Sequence, residues 1–146
     1  HGCEELTAVN VAEGNANYVS VDGVLFNKNM TKILNFPQGS KIKSYTIPES
    51  VTEISIGAFR DSAVTEVIVP SGVKKIDDGA FENCAKLRKL ELPSSVCLIE
   101  PGAFNNCMSL KVTYKSIVYK SKSSGEEYDM AYTLDDLYVV INTSVF

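Results

Sequence analysis

The residues able to do chemistry are few and scattered. Four cysteines stand at Cys3, Cys84, Cys97 and Cys107, and the single histidine is His1. Thiolates serve as nucleophiles, zinc ligands or disulfide partners. A zinc site wants Cys and His at short fixed spacings, and no C-x-x-C occurs here. Paired carboxylates occur at Asp77-Asp78 and Asp135-Asp136. Adjacent residues on strands or turns point apart, which suits neither a glycosidase pair nor a general acid–base couple. The acidic stretch Glu126-Glu127-Tyr128-Asp129 lacks the alternating ligand spacing of a calcium loop and reads as a solvated acidic loop. There is no internal histidine to act as base, and no glycine-rich phosphate loop. Asn29-Met30-Thr31 and Asn142-Thr143-Ser144 fit the glycosylation triplet, a pattern short enough to arise by chance. The reading is therefore non-catalytic, with no cofactor and no metal.

Three of the cysteines are organised by something else. The segments IPESVTEISIGAFRDS, VPSGVKKIDDGAFENC and LPSSVCLIEPGAFNNC are copies of one pattern. Pro48, Pro70 and Pro93 recur at intervals of 22 and 23 residues. Val51/Val73/Val96, Ile54/Ile76/Ile99, Gly57/Gly79/Gly102, Ala58/Ala80/Ala103 and Phe59/Phe81/Phe104 form aligned columns. Cys84 and Cys107 share a column with Ser62, so the site takes a small side chain. A buried, reduced thiol suits it, while a bridge between parallel side chains on adjacent coils suits it poorly.

A period in the low twenties with L-x-x-L-x-L spacing marks a leucine-rich repeat solenoid. Each coil buries its apolar face only against its neighbours. In the last clear copy, Leu87, Leu90 and Leu92 alternate with Lys89 and Glu91 as a half-buried strand, which Pro93 ends. Glu100-Pro101-Gly102-Ala103-Phe104 reads as a short helical turn, with Asp77 and Glu100 at equivalent helix starts. Asp61, Asn83 and Asn106 suit a left-handed exit. Phe59, Phe81 and Phe104 should stack as a spine.

The expected fold class is thus a repeat solenoid of short parallel strands and short helical turns, with an inserted N-terminal β-hairpin and a C-terminal capping element. Residues 1–114 form the solenoid and 115–146 the non-repeat cap. Asp22-Gly23 between apolar runs signals a hairpin, read as an excursion over about residues 16–37. Cys3-x-x-Leu6-x-x-Val9-x-Val11 repeats the spacing of Cys84-x-x-Leu87-x-x-Leu90-x-Leu92, so the chain is expected to begin inside a repeat, as a piece of a longer array or a processed form. In the cap, Lys120–Gly125 reads as a polar loop. Thr133-Leu134-Asp135-Asp136 resembles a capping box, followed by Leu134, Leu137, Tyr138 and Ile141 at helical spacing, although Tyr138–Ile141 are strand formers.

Hydrophobic residues are 45% and charged residues 22% of the 146, an ordinary globular balance. The net charge of −4 argues against nucleic-acid binding. No apolar run is long enough to span a bilayer.

With its repeats aligned, the chain resembles the BspA-like leucine-rich repeat family, the treponemal surface-antigen type. The pattern I-P-x-x-V-x-x-I-G-x-x-A-F-x-x-C-x-x-L-x-x-V is met by Ile47 to Val67, Val69 to Leu90 and Leu92 to Val112. Two departures stand out. Gly57, Gly79 and Gly102 each directly precede Ala, and the first copy lacks Cys and is one residue shorter before Val64. The resemblance implies a secreted or cell-surface protein that mediates adhesion or protein–protein interaction. The partner would be a host or microbial surface protein. A carbohydrate-binding or spacer segment is the alternative, with a glycan as partner. The candidate partner face is the outward side of the strands. One row there is Thr46, Ile68, Glu91 and Thr113; the next is Ser44, Glu66, Lys89 and Lys111. Mixed charge on these rows, with Glu66 facing Lys89, predicts salt-tolerant protein contact rather than anion binding.

Overall fold

The computed structural model describes residues 6–120 and 127–132. The solenoid is built from two sheets with the core between them. One sheet holds β1 (Tyr18–Val21), β2 (Val24–Asn27), β3 (Lys32–Asn35), β5 (Glu53–Ile54), β7 (Lys75–Ile76) and β9 (Leu98–Ile99), in the order β1-β2-β3-β5-β7-β9. The other holds β4 (Ser44–Thr46), β6 (Glu66–Ile68), β8 (Lys89–Leu92), β10 (Lys111–Lys120) and β11 (Glu127–Tyr132), in the order β11-β10-β8-β6-β4. The repeated strands are parallel. Among the described residues no helix is long and apolar enough to cross a membrane.

The corners between the sheets explain how the coils stack. Segments 55–62, 77–84 and 100–107, expected as helical turns, are chains of tight turns instead. In the first, the amides of Ala58, Arg60 and Ser62 bond back to Ser55, Gly57 and Phe59. The alternate amides of Gly57, Phe59 and Asp61 reach across to Asp78, Ala80 and Glu82 of the next coil. A helix would direct all of them along its own axis. Gly57 and Gly79 also take positive φ, at 64° and 65°, which interrupts a right-handed helix. Asp77 accordingly does not cap a helix; it is buried and pairs with Lys75 at 2.8 Å.

The corner exits follow the sequence reading. Asp61, Asn83 and Asn106 each have φ of 59°. Their side chains also form a ladder, with Asn106 Nδ2 donating to Asn83 Oδ1 at 2.8 Å and Asn83 Nδ2 to Asp61 Oδ1 at 2.9 Å. Short polar side chains tolerate this backbone and bond along the stack.

The phenylalanine spine is present and longer than the repeats suggest. Phe36, Phe59, Phe81 and Phe104 stack with centroids 5.0, 4.8 and 5.3 Å apart. These distances match the strand spacing of a sheet, so one ring fills each coil. Phe36 enters the column because its amide bonds to Ala58. Its coil was hidden because only two residues separate Ile33 from Phe36, against four between Ile54 and Phe59.

The hairpin turns at Asp22-Gly23, both at positive φ, as a primed turn requires. It lies on the end of the first sheet, where β2 pairs with β3 and β3 is itself the rung beneath β5. Residues 6–11 form no strand. The Val9 amide bonds to Gly23 and the Val11 amide to Ser20 Oγ, so neither is spent on β4. At the other end β10 is a rung beside β8 over Lys111–Tyr114, and from Val112 onward its other side pairs antiparallel with β11. Glu127–Asp129, expected in a solvated loop, lie in β11, because the long β10 offers them a backbone ladder. Cys3, Glu126, the polar stretch 121–125 and the expected capping box and helix over 133–141 lie outside the described residues.

Phe81 is fully buried between two rings, so Phe81→Ala leaves a gap that both neighbours line. A loss of about 3–5 kcal/mol in denaturant unfolding is expected. Unchanged unfolding would contradict the stacked core.

Candidate functional site

Each coil sends its L-x-x-L-x-L residues inward, as in the buried trio Leu87, Leu90 and Leu92. Two consecutive residues between the first pair, and the single residue before the last, therefore face solvent. Parallel register stacks them in rows. Ser44 aligns with Glu66, Lys89 and Lys111; Thr46 aligns with Ile68, Glu91 and Thr113. All eight positions proposed from sequence fall in these two rows. The side chains of Lys111 and Thr113 lie outside the described set.

The rows carry mixed charge. Lys89 Nζ lies 3.5 Å from Glu66 and 3.8 Å from Glu91. Exposed pairs of this kind add little stability. Ile68 is half-buried between the rows' polar residues. It opens into a shallow groove of about 260 Å³, whose walls are Pro70, Pro93, Val69 and Leu92 with Glu49 and Glu91 at the rim. Sequence rows alone did not reveal the groove. Its signal is the proline column, since Pro70 and Pro93 line it.

The thiols are structural. Cys84 Sγ donates to the Phe59 carbonyl at 2.9 Å, and Cys107 Sγ to that of Phe81 at 2.9 Å. Both are buried and free, whereas Cys97 is free and exposed. Burial pushes the Cys84 thiol up to about 12 and the Cys107 thiol up to about 11, since a thiolate there would lose water. Ser62 solves the same corner differently. Its Oγ accepts the Val64 amide at 3.1 Å, as Ser40 accepts that of Ile42 at 3.2 Å. A cysteine coil instead turns through an extra residue, with the Leu87 amide bonding to the Cys84 carbonyl. The missing cysteine and the missing residue of the first copy are thus one feature.

Asp77 and Asp78 do point apart, one buried and one exposed. Asp77 meets Glu53 across the coils instead, a pairing that sequence neighbours do not show. The hydrogen bond to Asp77, aided by burial, raises the Glu53 carboxyl. Burial works against ionised Asp77, but hydrogen bonds to Glu53 and Lys75 and the nearby lysines hold it low overall. Lys32 and Lys75 flank the pair at 3.6 Å from Glu53 and 2.8 Å from Asp77. This ladder of charge on the first sheet continues to Glu100, 3.9 Å from Lys75. Among the described residues no cluster of His, Cys, Asp and Glu is placed to hold a metal ion.

The model of the family described as BspA type leucine-rich repeat region, in six copies, matches residues 35–124. The chain belongs to the BspA-type leucine-rich repeat family. Solved structures place this BspA-type chain beside bacterial relatives. A leucine-rich repeat protein from Eubacterium ventriosum is 30% identical with a TM-score of 0.73, over 77% of this chain and 31% of its own. The pneumococcal vaccine antigen PcpA is 34% identical with a TM-score of 0.69, over 71% of this chain and 26% of its own. The chain therefore spans about a third or less of the solved relatives it matches. No curated protein matches it.

Two outcomes follow for the thiols of this BspA-type coil. With a thiol reagent near neutral pH, Cys97 should label in the native protein, while Cys84 and Cys107 label only on unfolding, as read by peptide mass mapping. Native labelling of either buried thiol would refute their seating. The second outcome concerns alkali. A thiol raised in the folded state stays protonated there while the unfolded chain releases its proton from about 9 upward, so stability falls as pH rises through that window. Wild type should lose stability between about pH 9 and 12 relative to Cys84→Ala, measured as the pH dependence of the denaturant midpoint.

Proposed function

We propose that this module is a non-catalytic binding element of a secreted or cell-surface bacterial protein, and that it holds a protein partner on the outward face of β4, β6 and β8. The observation that carries this reading is the face itself. Its outward residues are locked into rows by backbone register, and half-buried Ile68 heads a groove between the rows and the proline turns. Solenoids use such regular open surfaces for partners. Family membership and the likeness to a pneumococcal antigen support placement at the cell surface. Protein contact is favoured over sugar stacking on this face because Tyr45, the one aromatic in β4, β6 and β8, turns inward against Phe36 at 5.1 Å.

The test is capture of a surface protein from host or microbial extracts by the immobilised chain. Ile68→Ser combined with Glu91→Gln should weaken capture at least about tenfold, since hot spots concentrate at half-buried apolar centres. The melting temperature should hold. Full binding by that variant, with loss on altering the Asp22-Gly23 hairpin, would move the site to the N-terminal end.

A further inference from the structure

The paired outward residues of each coil also form an edge, where the chain enters the second sheet. Lys41 and Lys43 flank the inward Ile42, and Lys86 and Arg88 flank the inward Leu87. All four are exposed. Lys32, Arg60, Lys75 and Lys89 each have a carboxylate partner. The four edge cations, like Lys28 and Lys74 elsewhere, make no ion pair among the described residues. The coil between them presents only Ala63 and Thr65 at this edge.

Backbone bonds tie one member of each pair, Lys43 and Arg88, to the coil between them. Thr65 N donates to the Lys43 carbonyl at 2.8 Å, Thr65 Oγ1 donates to it at 3.0 Å, and Arg88 N donates to the Thr65 carbonyl at 3.0 Å. Lys43 and Arg88 therefore sit two coils apart, about 10 Å by strand spacing. Four cations that make no ion pair among the described residues stand on a chain whose net charge is −4. On the same face Glu66 opens β6 and Glu91 lies farther along β8, and both are engaged by Lys89 rather than by the edge cations.

We propose that this edge binds an acidic polysaccharide, its anionic groups seated on the Lys41/Lys43 and Lys86/Arg88 pairs. The spacing selects the polymer. A charge every sugar or two suits cation pairs about 10 Å apart, whereas duplex DNA carries a charge about every 1.7 Å of its axis. The edge also carries no aromatic ring for base stacking. Arg88 offers a planar fork that matches sulfate or carboxylate oxygens. The site is separate from the Ile68 groove and stands without it.

The test is binding of the full chain to immobilised chondroitin sulfate, to hyaluronan, and to a single-stranded DNA oligomer, at about 50 and 200 mM salt. The expected result is binding to at least one polysaccharide that weakens with salt. Binding to chondroitin sulfate alone assigns sulfate; binding to both assigns carboxylate. Lys43→Gln with Arg88→Gln should weaken it at least about tenfold and lower the log–log salt slope by about two, with an unchanged melting temperature. Ile68→Ser with Glu91→Gln should leave it intact, which separates this site from the protein-binding face. No binding to either polysaccharide at low salt, tighter binding to the DNA, or full binding by the Lys43/Arg88 variant would overturn the proposal.

Discussion

Everything in this molecule depends on how backbone amides divide between a coil and its neighbour. At the corners, alternate amides bond within the turn and across to the next coil. At the strands, parallel ladders do the same work. A coil alone would leave half of these groups without partners, and buried polar groups without partners are costly. Stacking satisfies them and sets one rise per coil. Residues at the same place in each copy must then touch, which is why the Phe36, Phe59, Phe81 and Phe104 rings fall into contact.

That constraint explains how reactive residue types become structural. Cysteine could be a nucleophile, yet Cys84 and Cys107 donate to carbonyls of the preceding coil in an environment that disfavours the thiolate. The column accepts serine when the corner is a residue shorter, because the Ser62 hydroxyl takes the Val64 amide. The asparagines likewise hold left-handed exits and bond along the stack. Carboxylates Glu53 and Asp77 meet across coils within a lysine frame, which balances their charge. The core and corners spend their polar groups on the fold, and the outward rows are the regular surface that remains for the proposed binding.

The same register fixes charges from different copies relative to one another on the outward face. Because two residues per coil face out between inward leucines, a cation placed there in one copy is fixed relative to a cation in another. Lys43 and Arg88 are 45 residues apart in sequence, yet they are joined through one intervening residue, Thr65. Farther along the strands Ile68, Pro70 and Pro93 shape an apolar furrow. Two surfaces of different character therefore lie on one sheet.

The repeat itself was legible from sequence, because a solenoid repeats its contacts whenever it repeats its residues. Columns of Pro, Val, Ile, Gly and Phe determined the coil, the aromatic spine and both outward rows, and Asp22-Gly23 determined the hairpin turn. What sequence left open lies where spacing breaks or where bonding is shared. Phe36 joins the spine through a contracted corner that no periodic pattern shows. The expected helical turns gave way because a local reading assigns each amide to its own segment, while half of them belong to the next coil. Glu127–Asp129 became strand because β10 presented an edge to them. The pairing of Glu53 with Asp77, the groove beneath Ile68 and the cation edge are likewise tertiary, since each is made by side chains from different coils that only stacking brings together.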